Sequence, residues 1–304
     1  MQHRRIGSLQ ISVIGMGCNN FGWRLDADAT ARVVHAALDA GIDFFDTAEL
    51  YADGKSEEYL GRALRGRLDQ VVIATKFGHK SGHPHRGGQP ANVRRAAEAS
   101  LKRLGRDHID LYQLHSPDPR VPIADTLGAL DELVRQGKVR EIGCSNFSAS
   151  QLRAAAAAVR PGQARFVSVQ NEYSLIHRDP ETDVLGECER LGIAFIPYFP
   201  LASGLLTGKY RRGRPIPKGT RLSEGSDELT DEHLATVEEL IHFAEDHKHT
   251  LLELAFGWLL ARPAVASVIA GATKPEQARS NASAAGWVLS SEERAAVDAL
   301  AVYS

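Results

Sequence analysis

The stretch between residues 71 and 115 indicates the fold class, because it places one helical segment between two short apolar runs. The first run is VVIATK (residues 71–76) and the second is IDLYQLH (residues 109–115). Between them, Ala91–Leu104 has the pattern of an amphipathic helix. Runs that are apolar on both faces are typical of strands buried in a parallel sheet. The stretch therefore predicts a β-α-β unit.

The same alternation continues along the chain and gives eight candidate strands. They are Val13–Cys18, Phe44–Asp46, Val71–Lys76, Ile109–His115, Glu141–Ser145, Val167–Asn171, Phe195–Phe199 and Val268–Gly271. The candidate helices are Asp28–Ala40, Ser56–Leu64, Ala91–Leu104, Ile123–Arg135, Ser148–Val159, Asp183–Arg190, Asp231–His247, Leu251–Leu260 and Ser290–Val302. Eight alternating units in 304 residues predict an α/β fold of the (β/α)8 TIM-barrel type. We expect one barrel domain over residues 1–304.

Two segments depart from the alternation. Arg4–Ile11 has the pattern of an N-terminal β-hairpin that turns at Gly7-Ser8. The connection from Phe199 to Val268 is too long for one crossover. Its first part is predicted to be a large loop after strand 7, at the mouth of the barrel.

Composition narrows the range of partners. A formal net charge of -2 gives no reason to expect binding to nucleic acid or to an anionic membrane surface. Three scattered cysteines favour a reducing compartment. The polar, basic residues 1–9 do not resemble a secretory signal, and no apolar run approaches the roughly 18 residues of a membrane span. We expect a cytoplasmic protein, either a monomer or a small homo-oligomer.

Four polar or ionisable residues lie at or just beyond the ends of consecutive candidate strands. They are Asp46, Lys76 and His115, with Tyr51 five residues after Asp46. Taken singly, Asp46 could cap a helix, Lys76 could be a solvated strand end and His115 could be an ordinary loop histidine. In a barrel, however, strand ends converge on the face where active sites lie. Their joint occurrence therefore predicts a catalytic group.

The four residue types suit proton donation to an oxygen. Tyrosine is a poor acid at neutral pH because its ordinary pKa is about 10. A lysine cation beside Tyr51 stabilises phenolate, and Asp46 keeps that lysine charged and fixed. His115 can donate a hydrogen bond to the substrate oxygen and orient it. Such groups stabilise negative charge that develops on an oxygen, and the chemistry requires no metal.

The sequence resembles the aldo-keto reductase superfamily from the first hairpin to the C-terminal segment. The resemblance rests on DTAELY (46–51) with Ser56-Glu57, VIATK (72–76), IDLYQLH (109–115), GCSN (143–146), VQNEY (169–173) and PLASGLLTGK (200–209). It implies that Asp46, Tyr51, Lys76 and His115 form the catalytic tetrad, with Tyr51 as general acid. It also implies NAD(P)H-dependent reduction of aldehydes or ketones to alcohols by hydride transfer.

The resemblance further assigns the nicotinamide site. The carboxamide needs one donor and one acceptor, and Ser145, Asn146 and Gln170 are the residues expected to supply them. Tyr198 is expected to stack on one face of the nicotinamide, which leaves the other face toward the substrate. Simple strand packing is the alternative role for Tyr198.

The pyrophosphate is expected to lie along Ser203, Gly204 and Lys209, where backbone N–H groups and a lysine are the usual contacts. Phe199 stands where many relatives carry a serine, so that one side-chain contact with phosphate is expected to be absent. The remaining positions that we expect at the cofactor are Gly17, Cys18, Asp46, Leu201 and Leu206.

The segment IAGATKPEQ (269–277), with Asn281, resembles the family's adenosine-binding segment. Gly271 stands where many relatives have lysine and Gln277 where they often have arginine, and those basic residues commonly bind the 2′-phosphate of NADP. Lys274 or Arg279 could supply the charge instead. We therefore expect NADP(H) to be preferred, with NAD(H) possible.

The substrate is expected to be a small carbonyl compound in a pocket formed by residues just past the strand ends. By resemblance these residues are Asn19, Trp23, Phe77 and Ser116. Ser116 and Gly78 are small where some relatives present tryptophan, which predicts a wider pocket.

Other functions remain open from the sequence. One is an NAD(P)-dependent aldose or sugar dehydrogenase of the same superfamily. Another is a nucleotide-binding barrel that senses redox state without turnover, which the intact tetrad disfavours. His79, His83 and His85 could suggest a metal site, but their Gly- and Pro-rich surroundings favour a polar loop.

Overall fold

The computed structural model describes residues 1–79, 87–223 and 229–301. It begins with an antiparallel hairpin, in which β1 (His3–Ile6) pairs with β2 (Leu9–Ser12) across Gly7 and Ser8. The predicted N-terminal hairpin is therefore confirmed. Its inward side chains, Ile6, Leu9 and Ile11, are buried against residues of the barrel interior such as Phe44. The hairpin thus closes the amino-terminal end of the barrel.

Eight parallel strands follow, and each overlaps one predicted run. They are β3 (Ile14–Gly17), β4 (Phe44–Asp46), β5 (Val72–Phe77), β6 (Ile109–Leu114), β7 (Val139–Ser145), β8 (Phe166–Glu172), β9 (Ala194–Tyr198) and β10 (Val268–Gly271). The sheet runs from β3 to β9 in chain order, with β10 beside β3.

The two edge strands meet and nearly close the barrel. Phe195 of β9 pairs in parallel with Val265, just before β10. Its N–H donates to the carbonyl of Ala264 at 2.7 Å, and its carbonyl accepts from the N–H of Ala266 at 3.0 Å. The predicted (β/α)8 architecture is confirmed.

Ten α-helices lie within the described ranges. They are α1 (Ala27–Asp39), α2 (Lys55–Ala63), α3 (Pro90–Leu104), α4 (Ile123–Arg135), α5 (Ala149–Ala158), α6 (Val184–Leu191), α7 (Asp231–Asp246), α8 (Leu251–Leu260), α9 (Pro275–Ser283) and α10 (Ser291–Leu300). The sequence analysis did not identify α9, because only the alanines of its PEQARSNAS sequence are apolar. Ser148, Thr250 and Ser290 form capping boxes that fix where α5, α8 and α10 begin.

Backbone strain collects at the carboxyl ends of the strands. Seven described residues other than glycine have positive φ, and one of them, Lys248, lies elsewhere. The other six lie on the loops after β4, β7 and β9: Ala52, Asp53, Asn146, Phe199, Ala202 and Ser203. Such conformations are disfavoured for L-residues and tend to cluster at functional sites. The carboxyl end of the barrel is therefore the place to look for a site.

Candidate active site

The carboxyl ends of β4, β5 and β6 bring the predicted polar residues together. Asp46 is the last residue of β4, Lys76 is the next to last residue of β5, and His115 directly follows β6. Tyr51 begins a short 3-10 turn after β4. Because side chains alternate along a strand, Lys76 points into the barrel while its neighbours Thr75 and Phe77 point outward.

Lys76 is the centre of this group. Its Nζ donates to Asp46 Oδ2 at 2.5 Å, to the Thr47 carbonyl at 2.9 Å and to the Tyr51 hydroxyl at 3.3 Å. Lys76 is fully buried and Asp46 nearly so. All three donor positions of the ammonium are therefore satisfied inside the barrel.

Burial and the neighbouring charges shift the pKa values of Tyr51 and Lys76 in opposite directions. Burial raises the pKa of Tyr51, and the field of Lys76 only partly offsets that rise. Burial lowers the pKa of Lys76, but Asp46 and Tyr51 outweigh burial and leave the pKa raised. At neutral pH the pair is therefore a phenol beside an ammonium. The sequence anticipated the effect of Lys76 on Tyr51 but not the larger effect of burial.

His115 lies beside Tyr51 with its ring edge-on, the two ring centroids being 6.0 Å apart. Burial, and then the charges of Lys76 and His79, lower the pKa of His115 to about 2. The imidazole is therefore neutral at any working pH. Its Nδ1 is buried and has no hydrogen-bond partner in the described part of the chain.

Polar side chains at the carboxyl ends of β7, β8 and β9 form hydrogen bonds that extend from Asp46 and His115. Gln170 Nε2 donates to Asp46 Oδ1 at 2.9 Å, and Ser145 Oγ donates to the Gln170 carbonyl at 2.7 Å. Asn146 Nδ2 donates to the His115 carbonyl at 2.9 Å, and Asn146 Oδ1 accepts from the Tyr198 hydroxyl at 2.9 Å. Of the residues expected at the carboxamide, Gln170 thus contacts Asp46 directly, while Ser145 contacts Gln170 and Asn146 contacts His115.

Buried polar contacts on both sides of Tyr51 in the chain fix the loop that carries it. Thr47 Oγ1 lies 2.8 Å from Ser56 Oγ, which in turn donates to the Cys18 carbonyl at 2.8 Å. Glu57 is fully buried, and its carboxylate accepts from Thr75 Oγ1 and Arg103 Nε, each at 2.6 Å. These contacts fix the start of α2 against β5 and α3.

A family model described as the aldo/keto reductase family matches residues 13–302. This chain belongs to the aldo/keto reductase family. It is accordingly an oxidoreductase of a family that uses nicotinamide cofactors and small carbonyl substrates.

Three relatives illustrate the range of this family. An aldo-keto reductase of Bacillus subtilis is 35% identical over 299 residues, covering 94% of this chain and 88% of the relative. A probable voltage-gated potassium channel subunit beta of Arabidopsis thaliana is 34% identical over 296 residues, covering 92% and 90%. Among solved structures, the glycerol dehydrogenase of Gluconobacter oxydans is 32% identical with a TM-score of 0.86, covering 98% of this chain and 94% of that one.

The residues expected at the substrate pocket of this aldo/keto reductase have different environments. Trp23 is 61% exposed and has the Arg24 guanidinium 4.6 Å from its ring centroid. Asn19 is half-buried, and Ser116 is buried with no partner for its hydroxyl in the described ranges. Phe77, the fourth of these residues, lies on the other face of the sheet.

Phe77 is fully buried and stacks on Tyr112, with ring centroids 4.6 Å apart. It lies between the sheet and the helices because it is one residue out of phase with Lys76. His79 occupies a position nearer the site, with its ring centroid 4.6 Å from that of His115. The sequence analysis did not anticipate this position of His79, and His83 and His85 lie outside the described residues.

The residues expected along the pyrophosphate lie on the loop after β9. Phe199 and Ser203 have left-handed backbones, and the Arg221 guanidinium lies 5.0 Å from the Phe199 ring centroid. Lys209 is exposed, Leu201 and Gly204 are half-buried, and Leu206 is fully buried. Cys18 and Gly17 are buried at the end of β3, where the Cys18 thiol donates to the Met16 carbonyl.

The expected adenosine segment surrounds the start of α9. Gln277 Oε1 accepts from the N–H groups of Thr273 at 2.7 Å and Lys274 at 3.2 Å, so this side chain caps the helix. Asn281 is buried, and its Nδ2 has no hydrogen-bond partner among the described residues. Gly271 is exposed at the end of β10.

No helix in the described ranges is both long enough and apolar enough to cross a membrane.

Proposed function

We propose that this protein reduces aldehydes or ketones to alcohols with NAD(P)H, with Tyr51 as the proton donor. The observation that carries the proposal is the contact of Lys76 Nζ with both Asp46 Oδ2, at 2.5 Å, and the Tyr51 hydroxyl, at 3.3 Å. A buried cation at that distance stabilises phenolate, and phenolate is what remains once the proton has left.

The protonation states support this direction of transfer. Tyr51 keeps its proton in the resting enzyme because burial raises its pKa. When negative charge develops on the substrate oxygen, Tyr51 can release the proton while Lys76 compensates the new phenolate. Asp46 remains the counter-ion that keeps Lys76 charged and in place.

His115 acts as a hydrogen-bond donor and not as an acid, because its pKa is lowered to about 2. An unpaired buried N–H is costlier than an unpaired nitrogen lone pair, so the proton belongs on Nε2 and not on the partnerless Nδ1. Nε2–H can then donate to the substrate oxygen beside Tyr51 and orient it.

The residues at the strand ends fit a nicotinamide dinucleotide. Gln170 Nε2 is committed to Asp46, which leaves Oε1 to accept from a carboxamide N–H. Ser145 Oγ already donates to the Gln170 carbonyl, and Asn146 Nδ2 donates to the His115 carbonyl and to Ser145 Oγ, so either residue donates to the carboxamide oxygen by exchanging one of these bonds. Asn281 Nδ2 is a buried donor that lacks a partner in the described ranges, as expected of a residue that binds an adenine ring. When bound, the reduced cofactor supplies hydride to the carbonyl carbon.

NADP(H) is the proposed preference, with NAD(H) possible. Gln277 is occupied as a helix cap and brings no charge, so Lys274 and Arg279 are the cations available to a 2′-phosphate. Arg279 is exposed, and its Nη1 lies 3.8 Å from Oε1 of Glu276, which is also exposed, so this ion pair holds the guanidinium only weakly.

The test is steady-state reduction of 4-nitrobenzaldehyde and phenanthrenequinone with NADPH and NADH. Tyr51→Phe is expected to lower kcat by about 10²- to 10⁴-fold, since a general acid is lost, while cofactor binding measured by fluorescence is unchanged. Tyr59→Phe, a half-buried tyrosine of α2, is the matched control and should keep wild-type rates. Unchanged turnover in Tyr51→Phe would exclude Tyr51 as the acid. Tight cofactor binding without turnover by the wild type would favour the redox-sensing alternative.

A second candidate is oxidation of polyols or sugars by the same group of residues. It is supported by the likeness to a glycerol dehydrogenase and by the polar Ser116 hydroxyl beside His115. Oxidation of glycerol or glucose with NADP⁺ that is faster than reduction of the aldehydes would favour it.

A further inference from the structure

Gln113 is a buried amide of β6 in contact with the catalytic carboxylate. It pairs in register with Lys76 and is fully buried. Its Nε2 donates to Asp46 Oδ1 at 3.3 Å, the same oxygen that accepts from Gln170 at 2.9 Å. Asp46 therefore directs Oδ2 to Lys76 and Oδ1 to two amides. The sequence analysis quoted Gln113 within a motif but gave it no role.

The chemistry of Asp46 determines how the amide is oriented. An ionised carboxylate only accepts hydrogen bonds, so the nitrogen of Gln113 must face it. The other end, Oε1, is consequently buried without a hydrogen-bond partner among the described residues. A buried acceptor without a partner lowers stability, whereas leucine would fill similar space without that loss. A buried polar group that lowers the stability of the fold indicates a functional role.

The neighbouring strand makes room for this side chain. Gly143 of β7 pairs with Gln113 in register. A methyl group at Gly143 would lie 3.3 Å from Gln113 Cγ and 2.5 Å from Ser168 Oγ. Only glycine therefore lets both polar side chains lie in the barrel interior at this level.

We propose that Gln113 is a positioning residue that holds the Asp46 carboxylate in the orientation that fixes Lys76 beside Tyr51. The proposal rests on the proposed function, in which Tyr51 donates the proton. Gln170 makes the shorter bond to Asp46 but is also needed at the nicotinamide carboxamide. Gln113 makes its one described hydrogen bond to Asp46, so it can hold that carboxylate in every state of the reaction cycle.

Gln113→Leu separates this role from a structural one. We expect a Tm within about 2 °C of the wild-type value, because the loss of the 3.3 Å bond to Asp46 and the removal of the partnerless acceptor act in opposite directions. We expect kcat for 4-nitrobenzaldehyde with NADPH to fall about three- to tenfold, with KM for NADPH within about twofold of the wild-type value.

The pH dependence of alcohol oxidation gives a second test of the role of Gln113. The groups that act on Tyr51 are Lys76, Asp46, His115 and Cys18. Looser placement of Lys76 stabilises phenolate less, so oxidation of 4-nitrobenzyl alcohol with NADP⁺ should require a higher pH in Gln113→Leu than in the wild type.

Gln113→Glu provides a rescue that depends on pH. At low pH its protonated carboxyl can donate to Asp46 as the amide does, whereas at high pH the two carboxylates repel each other. Its activity relative to the wild type should therefore fall as pH rises. Ser168→Ala, which removes a neighbouring hydroxyl with no described contact to Asp46, should leave kcat and the pH profile unchanged.

The outcomes are distinguishable. An active wild type with a Gln113→Leu variant that loses stability but keeps its kcat and pH profile overturns the inference and leaves the proposed function intact. A wild type that reduces neither test carbonyl overturns both. A stable Gln113→Leu variant with lower kcat and a shifted profile supports the positioning role.

Discussion

Replacing Lys76 with methionine tests the charge balance inside the barrel. The substitution keeps most of the buried apolar volume but removes the ammonium that neutralises Asp46, whose salt bridge spans 2.5 Å with both side chains almost fully buried. Breaking a buried pair by removing one partner costs about 3–5 kcal/mol, because the other charge is left uncompensated. For 304 residues, an unfolding entropy of about 2.1 cal/mol/K per residue converts this to a Tm lowered by about 5–8 °C.

The loss of stability in Lys76→Met should also depend on pH and on the charge of Asp46. Without Lys76 the folded chain favours a protonated Asp46, while the unfolded chain releases that proton above about pH 4. The folded state then binds more protons, so the stability of Lys76→Met should fall as pH rises from about 4 toward 7. Asp46→Asn combined with Lys76→Met removes the uncompensated charge and should recover most of the loss.

The assay is urea unfolding of the wild type, both single variants and the double variant at pH 5 and pH 7.5. Lys102→Met, an exposed lysine of α3, is the matched control and should change stability by no more than about 0.5 kcal/mol. A double variant as unstable as Lys76→Met alone would refute the reasoning, since the damage would then come from lost packing and not from charge.

Two further predictions concern stability alone. His115 has a folded pKa of about 2 against about 6.5 unfolded, so the unfolded chain binds the extra proton and stability falls as pH drops through 6.5. The loss from this residue is about 1.4 kcal/mol at pH 5.5 relative to pH 8, and His115→Asn should remove that part of the slope in urea titrations. Ala52→Gly should raise stability by about 0.5–1 kcal/mol, because Ala52 has φ 50 in a region that disfavours L-residues. Ala63→Gly at the end of α2 should lower it by a similar amount, and equal signs in thermal unfolding would contradict the strain argument.

Much of the fold followed from local pattern. Each of the eight strands was recognisable from a short apolar run, and the hairpin from its Gly7-Ser8 turn, because both depend on neighbouring residues. Helix α9 was not recognisable, since its polar sequence lacks an apolar face and its start depends on the Gln277 cap.

The candidate site was predictable in its residue types and less so in its contacts. Asp46, Tyr51, Lys76 and His115 were identifiable because strand ends of a barrel meet on one face. Lys76 and Phe77 are neighbours on one strand, so their side chains must point to opposite faces of the sheet. Which of the two points into the barrel is settled only when the sheet closes. The contacts of Gln113 with Asp46 and of His79 with His115 likewise depend on how the tertiary structure brings these side chains together.

The sequence by itself determined the succession of strands and helices, the chemical types at the strand ends and the resemblance to a family. The tertiary structure alone decided which of these polar groups contact one another, because the contacts join residues far apart in the chain. Gln170 reaches Asp46 across 124 positions, and Gln113 reaches it across 67. It also decided that Tyr51 is a phenol and His115 a neutral imidazole, because those states depend on burial, which exists only once the barrel has closed around them.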